Sequence, residues 1–212
     1  MWLIFLGLVS GSVIHGVNVC SETEVQGPYG AQFSGITWIA GTPKPAVGLA
    51  RLVFNPDKAI SGYSSVSFDG MLLGNPVTGT YEIKSDCTMT WSLQDGSGAF
   101  QHFSGTITPG GNKVEFRQTD PDAGQRGVMK RTSDACTATD LKPRYVFTTA
   151  GSKSIPNTGA GISFTVDSDC IVQIVFGDDE TNLRGILVNH GAEILAIQTD
   201  PGETVSARFT AQ

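Results

Sequence analysis

"VEFRQTDPDAG" (residues 114–124) and "ILAIQTDPGET" (residues 194–204) share four residues in one setting. In both, a strand-like run ends and a turn begins. Asp-Pro after a strand marks a turn, and Gln, Thr and Asp side chains can bond nearby backbone. The second occurrence keeps QTDP while its neighbours change completely. The motif therefore reads as a structural corner built twice, not a catalytic signature used twice.

The flanking sequence repeats as well. "TYEIKSDCTMTWSLQDG" (residues 80–96) matches "SFTVDSDCIVQIVFGDD" (residues 163–179), with Ser85-Asp86-Cys87 facing Ser168-Asp169-Cys170. Upstream, a tyrosine follows a cysteine by nine positions in each half: Cys20 and Tyr29, Cys136 and Tyr145. The chain thus reads as a tandem duplication, with copies at 20–133 and 134–212. Copy one carries about 30 extra residues, "PKPAVGLARLVFNPDKAISGYSSVSFDGML" (residues 43–72).

Short segments rich in β-branched and aromatic residues end in "DG", "PGG", "HG" and "DP", which supply turn geometry. In "TMTWSLQDG", Met89, Trp91 and Leu93 alternate with polar residues and share one face. No stretch shows helical spacing. Copy one reads as eight strands: 29–36, 47–55, 60–68, 79–84, 88–94, 100–108, 113–119 and 126–131. Copy two reads as six: 144–149, 161–166, 171–176, 183–189, 193–199 and 204–210. The predicted fold is all-β, an antiparallel meander closing into a β-barrel, with copy two a shorter or incomplete barrel.

Composition agrees. The 212 residues include 26 Gly, 40% are apolar and 16% charged, which suits a turn-rich all-β chain. Net charge is −6, against nucleic-acid binding. Copy two is the acidic half, with "GDDE" (residues 177–180) read as a solvated hairpin tip. Residues 1–19 read as a secretory signal peptide without the usual Lys or Arg, and their apolar run is too short to span a membrane. Export and an extracellular location follow as expectations.

Four cysteines in an exported chain suggest two disulfides. The duplication favours Cys20–Cys87 and Cys136–Cys170, one bridge per copy; pairing across copies is the alternative. No C-x-x-C pair occurs, and the three histidines include one in the leader, so no metal or other cofactor is expected.

The order of motifs resembles a widespread group of secreted bacterial and fungal β-rich domains. Their pattern runs cysteine, G-x-YG, TY-x-V-x-x-DCT, an amphipathic hairpin and QTDPG. Here those are Cys20, "GPYG" (residues 27–30), "TYEIKSDCT" (residues 80–88) and "QTDPD" (residues 118–122); copy two has "RYV" and "DCI" instead. The barrel is similar to the small barrels of calycins, allene oxide cyclases and dirigent proteins, and to some fungal natural-product cycloaddition enzymes. That likeness implies a lipophilic small-molecule partner and, in some members, cyclisation without a cofactor. It is a likeness of fold, and fold alone does not fix function.

Chemistry is sought where the copies differ. Aligned on QTDP, Glu115 and Arg117 face Leu195 and Ile197. Two positions apart, they share a strand face. Arg117 is the candidate oxyanion donor, and His102 or Glu115 the candidate proton carrier. Trp91, Phe100 and Tyr81 are the candidate cavity walls. The plainer alternative for Glu115 and Arg117 is an exposed pair worth little, and for Trp91 an ordinary core position. Three functions compete: a cofactor-free cyclase or isomerase acting on a lipophilic metabolite, a non-enzymatic small-molecule-binding protein, and a structural or adhesive surface module. The first two call for a cavity of about 300 Å³ or more, lined by Trp91, Phe100 and Arg117; the third calls for a solid core. An oligomer is compatible with all three.

Overall fold

The computed structural model describes residues 20–39, 41–68, 71–121, 124–152, 155, 161–177 and 181–212. The leader, and most of the "GDDE" tip, lie outside the described residues. Eight antiparallel strands come first: β1 Gly27–Ile39, β2 Thr42–Phe54, β3 Ala59–Phe68, β4 Met71–Ile83, β5 Thr88–Asp95, β6 Phe100–Ile107, β7 Lys113–Gln118 and β8 Arg126–Arg131. Each pairs with the next, and β8 returns to β1, with Tyr29 opposite Arg131, to close a barrel. Six more follow: β9 Tyr145–Gly151, β10 Ile162–Val166, β11 Ile171–Phe176, β12 Asn182–Val188, β13 Glu193–Gln198 and β14 Val205–Ala211. They form one sheet in the order β10-β11-β12-β13-β14-β9. Eight and six strands were expected, and eight and six are found among the described residues.

β1, β2 and β4 run longer than their sequence patterns indicate. The prolines explain why. β2 meets β3 only from Ala46, and β4 meets β5 only from Val77. Pro43, Pro45 and Pro76 therefore sit where one side of the strand faces no neighbour. A missing N–H on that side breaks no ladder bond.

The pleat sorts the barrel side chains in and out. Along β5, Met89, Trp91 and Leu93 are buried, as their alternation predicts. Along β7, Val114 and Phe116 point in, while Glu115 and Arg117 are exposed outside. One end of the barrel is packed solid. Phe54 lies edge-on to both Tyr29 and Tyr81, at centroid distances of 5.4 and 5.2 Å. Ile60, Met89 and Val114 complete this layer. Each large side chain so buried stabilises the fold by roughly 2–3 kcal/mol. The Cys20–Cys87 disulfide closes the same end.

The second unit rolls up without closing. Its inner face carries Val172, Ile174, Leu183, Ile194 and Phe209. The rings of Tyr145 on β9 and Phe164 on β10 lie 5.5 Å apart, tilted to each other, yet these two edge strands do not pair. Of the two forms expected, a smaller or an incomplete barrel, it is the incomplete one: an open, curled sheet among the described residues, with its own Cys136–Cys170 disulfide. The middle of its outer face is covered, while the β9 edge stays open, with Val146 50% exposed. Ile171, Ile186, Val188, Leu195 and Ile197 pack on Val47 and Leu49 of β2. Gln32 of β1 donates to the carbonyls of Ala196 and Ala207, at 2.7 and 2.8 Å. Lys130 pairs with Glu193 at 2.5 Å across the same seam. β13 is consequently buried on both faces, every residue of it.

Candidate functional site

Above its packed end the barrel is hollow. A cavity of about 210 Å³ opens towards the hairpins that join β1 to β2, β3 to β4 and β5 to β6. Its apolar wall includes Trp91, Phe103, Phe116, Leu52 and Met129. Three of these rings form one cluster: Trp91 stacks on Phe103 at 5.3 Å, and Phe116 meets both edge-on at 5.3 and 5.8 Å. On β1 and β2 the lining alternates large and small, with Phe33 and Leu52 beside two alanines. Ala31 and Ala50 line the cavity directly.

Glycine at two inward positions lets the wall bend. A Cβ on Gly62 would sit 2.0 Å from the carbonyl oxygen of Arg51, and one on Gly79 would sit 1.9 Å from that of Ser92. Only a residue without a side chain allows so close an approach of the neighbouring strand.

Six polar side chains interrupt the apolar wall: Thr37, Ser64, Asn75, Asp95, Gln101 and Gln125. Asp95 is held by its own turn, accepting from the backbone and hydroxyl of Ser97 at 2.9 and 2.6 Å. Gln125 is the odd one. It is 3% exposed, and its Oε1 has no hydrogen-bond partner among the described residues. No Lys, Arg or His is among the described residues that line the cavity.

The candidates read from sequence divide cleanly. Trp91 lines the cavity. Tyr81 is buried in the packed end, where its hydroxyl donates to the Asn55 carbonyl at 2.9 Å; it does not line the cavity. Burial raises its pKa. Phe100 is 58% exposed on the outer wall. Glu115, Arg117 and His102 also lie outside. Glu115 is held by Lys113 at 2.5 Å, and this hydrogen bond lowers its pKa. His102 is held by Asp120 at 2.6 Å. Arg117 stands opposite Arg126 on the exterior of β7 and β8. The geometry brings none of Arg117, Glu115, His102 and Phe100 to the cavity.

Pleating is the cause. The residues that face inward are the alternate set: Val114 and Phe116, Gln101 and Phe103. Leu195 and Ile197, which replace Glu115 and Arg117 in copy two, mark the surface that docks on the barrel, so that difference reports packing. Phe103 and Phe116 were readable from the same alternation, taken one position over. Nothing in the sequence singled out Gln125.

Among the described residues no three His, Cys, Asp or Glu side chains cluster as a metal site would, and no helix is long and apolar enough to cross a membrane. The two disulfides fit an oxidising compartment.

No protein-family model matches the chain, and no curated protein matches it. Two solved structures show a distant likeness. One is a de novo designed fluorescence-activating β-barrel, 15% identical, with a TM-score of 0.38 over 52% of this chain and 96% of that one. The other is Rv2717c from M. tuberculosis, 13% identical, with a TM-score of 0.31 over 90% of this chain and 94% of that one. At these values neither bears on what the protein does.

Proposed function

We propose that the protein binds a compact lipophilic molecule inside the first barrel. One observation carries the reading: the barrel is packed at one end and hollow at the other, with aromatic rings and alanines lining an open-ended space of about 210 Å³. A purely structural module would fill that space, since protein interiors close-pack and voids cost stability. The volume lies below the usual range of small-molecule pockets, about 300–1,000 Å³. The ligand is therefore small, or extends out of the mouth. Exposed Ile36, Met71 and Leu72 at that end of the barrel offer it apolar surface.

Export through a secretory route fits the disulfides and the leader. Cofactor-free cyclisation or isomerisation of the bound molecule is the finer form of this reading. In this geometry its polar groups would be Asp95, Gln101 and Gln125, and not Arg117, Glu115 and His102.

Filling the cavity is the test. Ala50→Phe places a ring in the empty space, and it should abolish binding of a lipophilic dye while leaving the circular dichroism spectrum intact. Mass spectrometry of the purified protein should detect a co-purified small molecule in the native chain and none in the variant. Undiminished dye binding by folded Ala50→Phe overturns the proposal.

A further inference from the structure

We infer that the cavity selects a ligand that carries a hydroxyl or N–H donor and no negative charge, and that Gln125 is the residue that receives the donor. This inference rests on the small-molecule reading above and deepens it.

The argument begins with an unsatisfied acceptor. Buried polar atoms are almost always hydrogen-bonded, and each exception calls for a reason. Gln125 stands one residue before β8, two before Gly127 and four before Met129, and it lines the cavity. Its backbone carbonyl is employed at the last corner of the barrel, where it accepts from the Gln118 N–H at 2.9 Å. Its side-chain oxygen accepts nothing from that corner among the described residues. At 3% exposure it is shut off from bulk water, and its amide oxygen has no partner among the described residues. An apolar residue there would be the stable choice if the cavity existed only to be empty. An amide at this place is explained by a guest that donates to it.

The rest of the lining narrows the guest further. The one ionisable side chain there is a carboxylate, Asp95, and no cationic side chain lines the cavity among the described residues. A carboxylate or phosphate ligand would therefore lose its hydration without gaining a counter-charge, and would face Asp95 as a like charge. Fatty acids and phosphorylated metabolites are disfavoured on this ground. An alcohol, a phenol or an indole-type N–H suits it, with the apolar body against Trp91, Phe103 and Phe116. Recognition sites built around a hydrogen bond discriminate sharply against analogues that lack the group, because the buried partner is then left unpaired.

Three matched probes test this by isothermal titration calorimetry: 2-naphthol, naphthalene and 2-naphthoate. The expected order for the native chain is 2-naphthol about tenfold tighter than naphthalene, as one net hydrogen bond implies, with 2-naphthoate weakest. Gln125→Leu should keep naphthalene binding and shrink the 2-naphthol preference to about twofold or less, below what one net hydrogen bond supplies. Gln125→Met serves as a second variant of similar reach. Without ligand, both should melt at or above the native temperature, since each removes a lone buried acceptor. Equal affinity of the native chain for 2-naphthol and naphthalene, or a preference that survives both substitutions, overturns the inference and leaves the cavity reading standing. Failure of all three probes to bind the native chain overturns the cavity reading itself.

Discussion

Asp120 binds His102 twice, accepting from its backbone N–H at 2.8 Å and from its ring Nδ1 at 2.6 Å. Asp200 does the same to Asn182, through the backbone N–H at 3.0 Å and the side-chain amide at 3.1 Å. In each copy the glutamine two residues earlier also donates to the aspartate, at 3.0 and 2.8 Å. QTDP is thus a latch between the last corner of a copy and the strand beside it. His102 belongs to that latch, as its counterpart Asn182 does.

Asp120→Ala should therefore destabilise the fold by about 1–3 kcal/mol in urea denaturation, the cost of stranding its donors. Dye binding in the cavity should survive. Burial pushes the Asp120 carboxyl up, but the hydrogen bonds from His102 and Gln118 together outweigh it and hold the pKa below the ordinary value. A carboxylate with a depressed folded-state pKa contributes fully above its unfolded value, about 3.9, and is lost as pH falls through the folded value. Acid denaturation of Asp120→Ala should be correspondingly less steep below that pH. An unchanged acid limb would exclude the latch.

Tyr29 gives the alkaline counterpart. Burial pushes its pKa up to about 12, against the opposing pull of the Arg131 guanidinium beside it. Its hydroxyl donates to the Gly111 carbonyl and accepts from Arg131 at 2.9 Å. Tyr145 makes the matching bond to the Gly191 carbonyl in copy two at 2.7 Å. The raised value means a stabilisation complete below about pH 10, the unfolded value, and lost as pH rises through about 12. Spectrophotometric titration should show a tyrosine class ionising late, with unfolding. Tyr29→Phe should take one tyrosine out of that late class, leaving Tyr81 and Tyr145, whose pKa values burial also raises, and should cost about 1–2 kcal/mol at neutral pH.

The two bridges should differ little in worth. They close loops with sequence separations of 67 and 34 residues. Chain entropy assigns each about 4 kcal/mol, the longer loop about 0.6 kcal/mol more. Paired serine variants, Cys20 with Cys87 and Cys136 with Cys170, should lose stability in that order. Proteolytic mapping under non-reducing conditions should recover each bridge within one half of the chain.

Transplanting copy-one residues into copy two tests the seam. Leu195→Glu with Ile197→Arg places charges against Val47 and Leu49, and should cost more than about 4 kcal/mol or prevent folding. The reciprocal Glu115→Leu should change stability by less than about 0.5 kcal/mol, because Glu115 stands in water.

The sequence carried the repeat, the strand count and the pairing of cysteines, because turns and alternation are local and each copy checks the other. It carried less about which face of a strand meets which neighbour. Glu115 and Arg117 do share a face, as their spacing requires, and so do Phe100 and His102. Period two cannot say that this face is the outside. Comparing β7 with β13 made the error worse, since β13 is covered on both sides and its aliphatic residues mimic an interior. The long β1–β2 and β3–β4 hairpins were hidden by prolines, which read as strand breakers until the missing neighbour is known. Gln125 needed the closed barrel before its isolation could be seen.

The burial of β13 on both faces sets unequal freedom for the two halves. A saturation mutagenesis scan should find Ile194 to Ile197 intolerant of almost every polar substitution, while the outward row of β7 accepts nearly any. Evolutionary drift is then steered towards the barrel's free flank, where new surface chemistry can accumulate without cost to the fold.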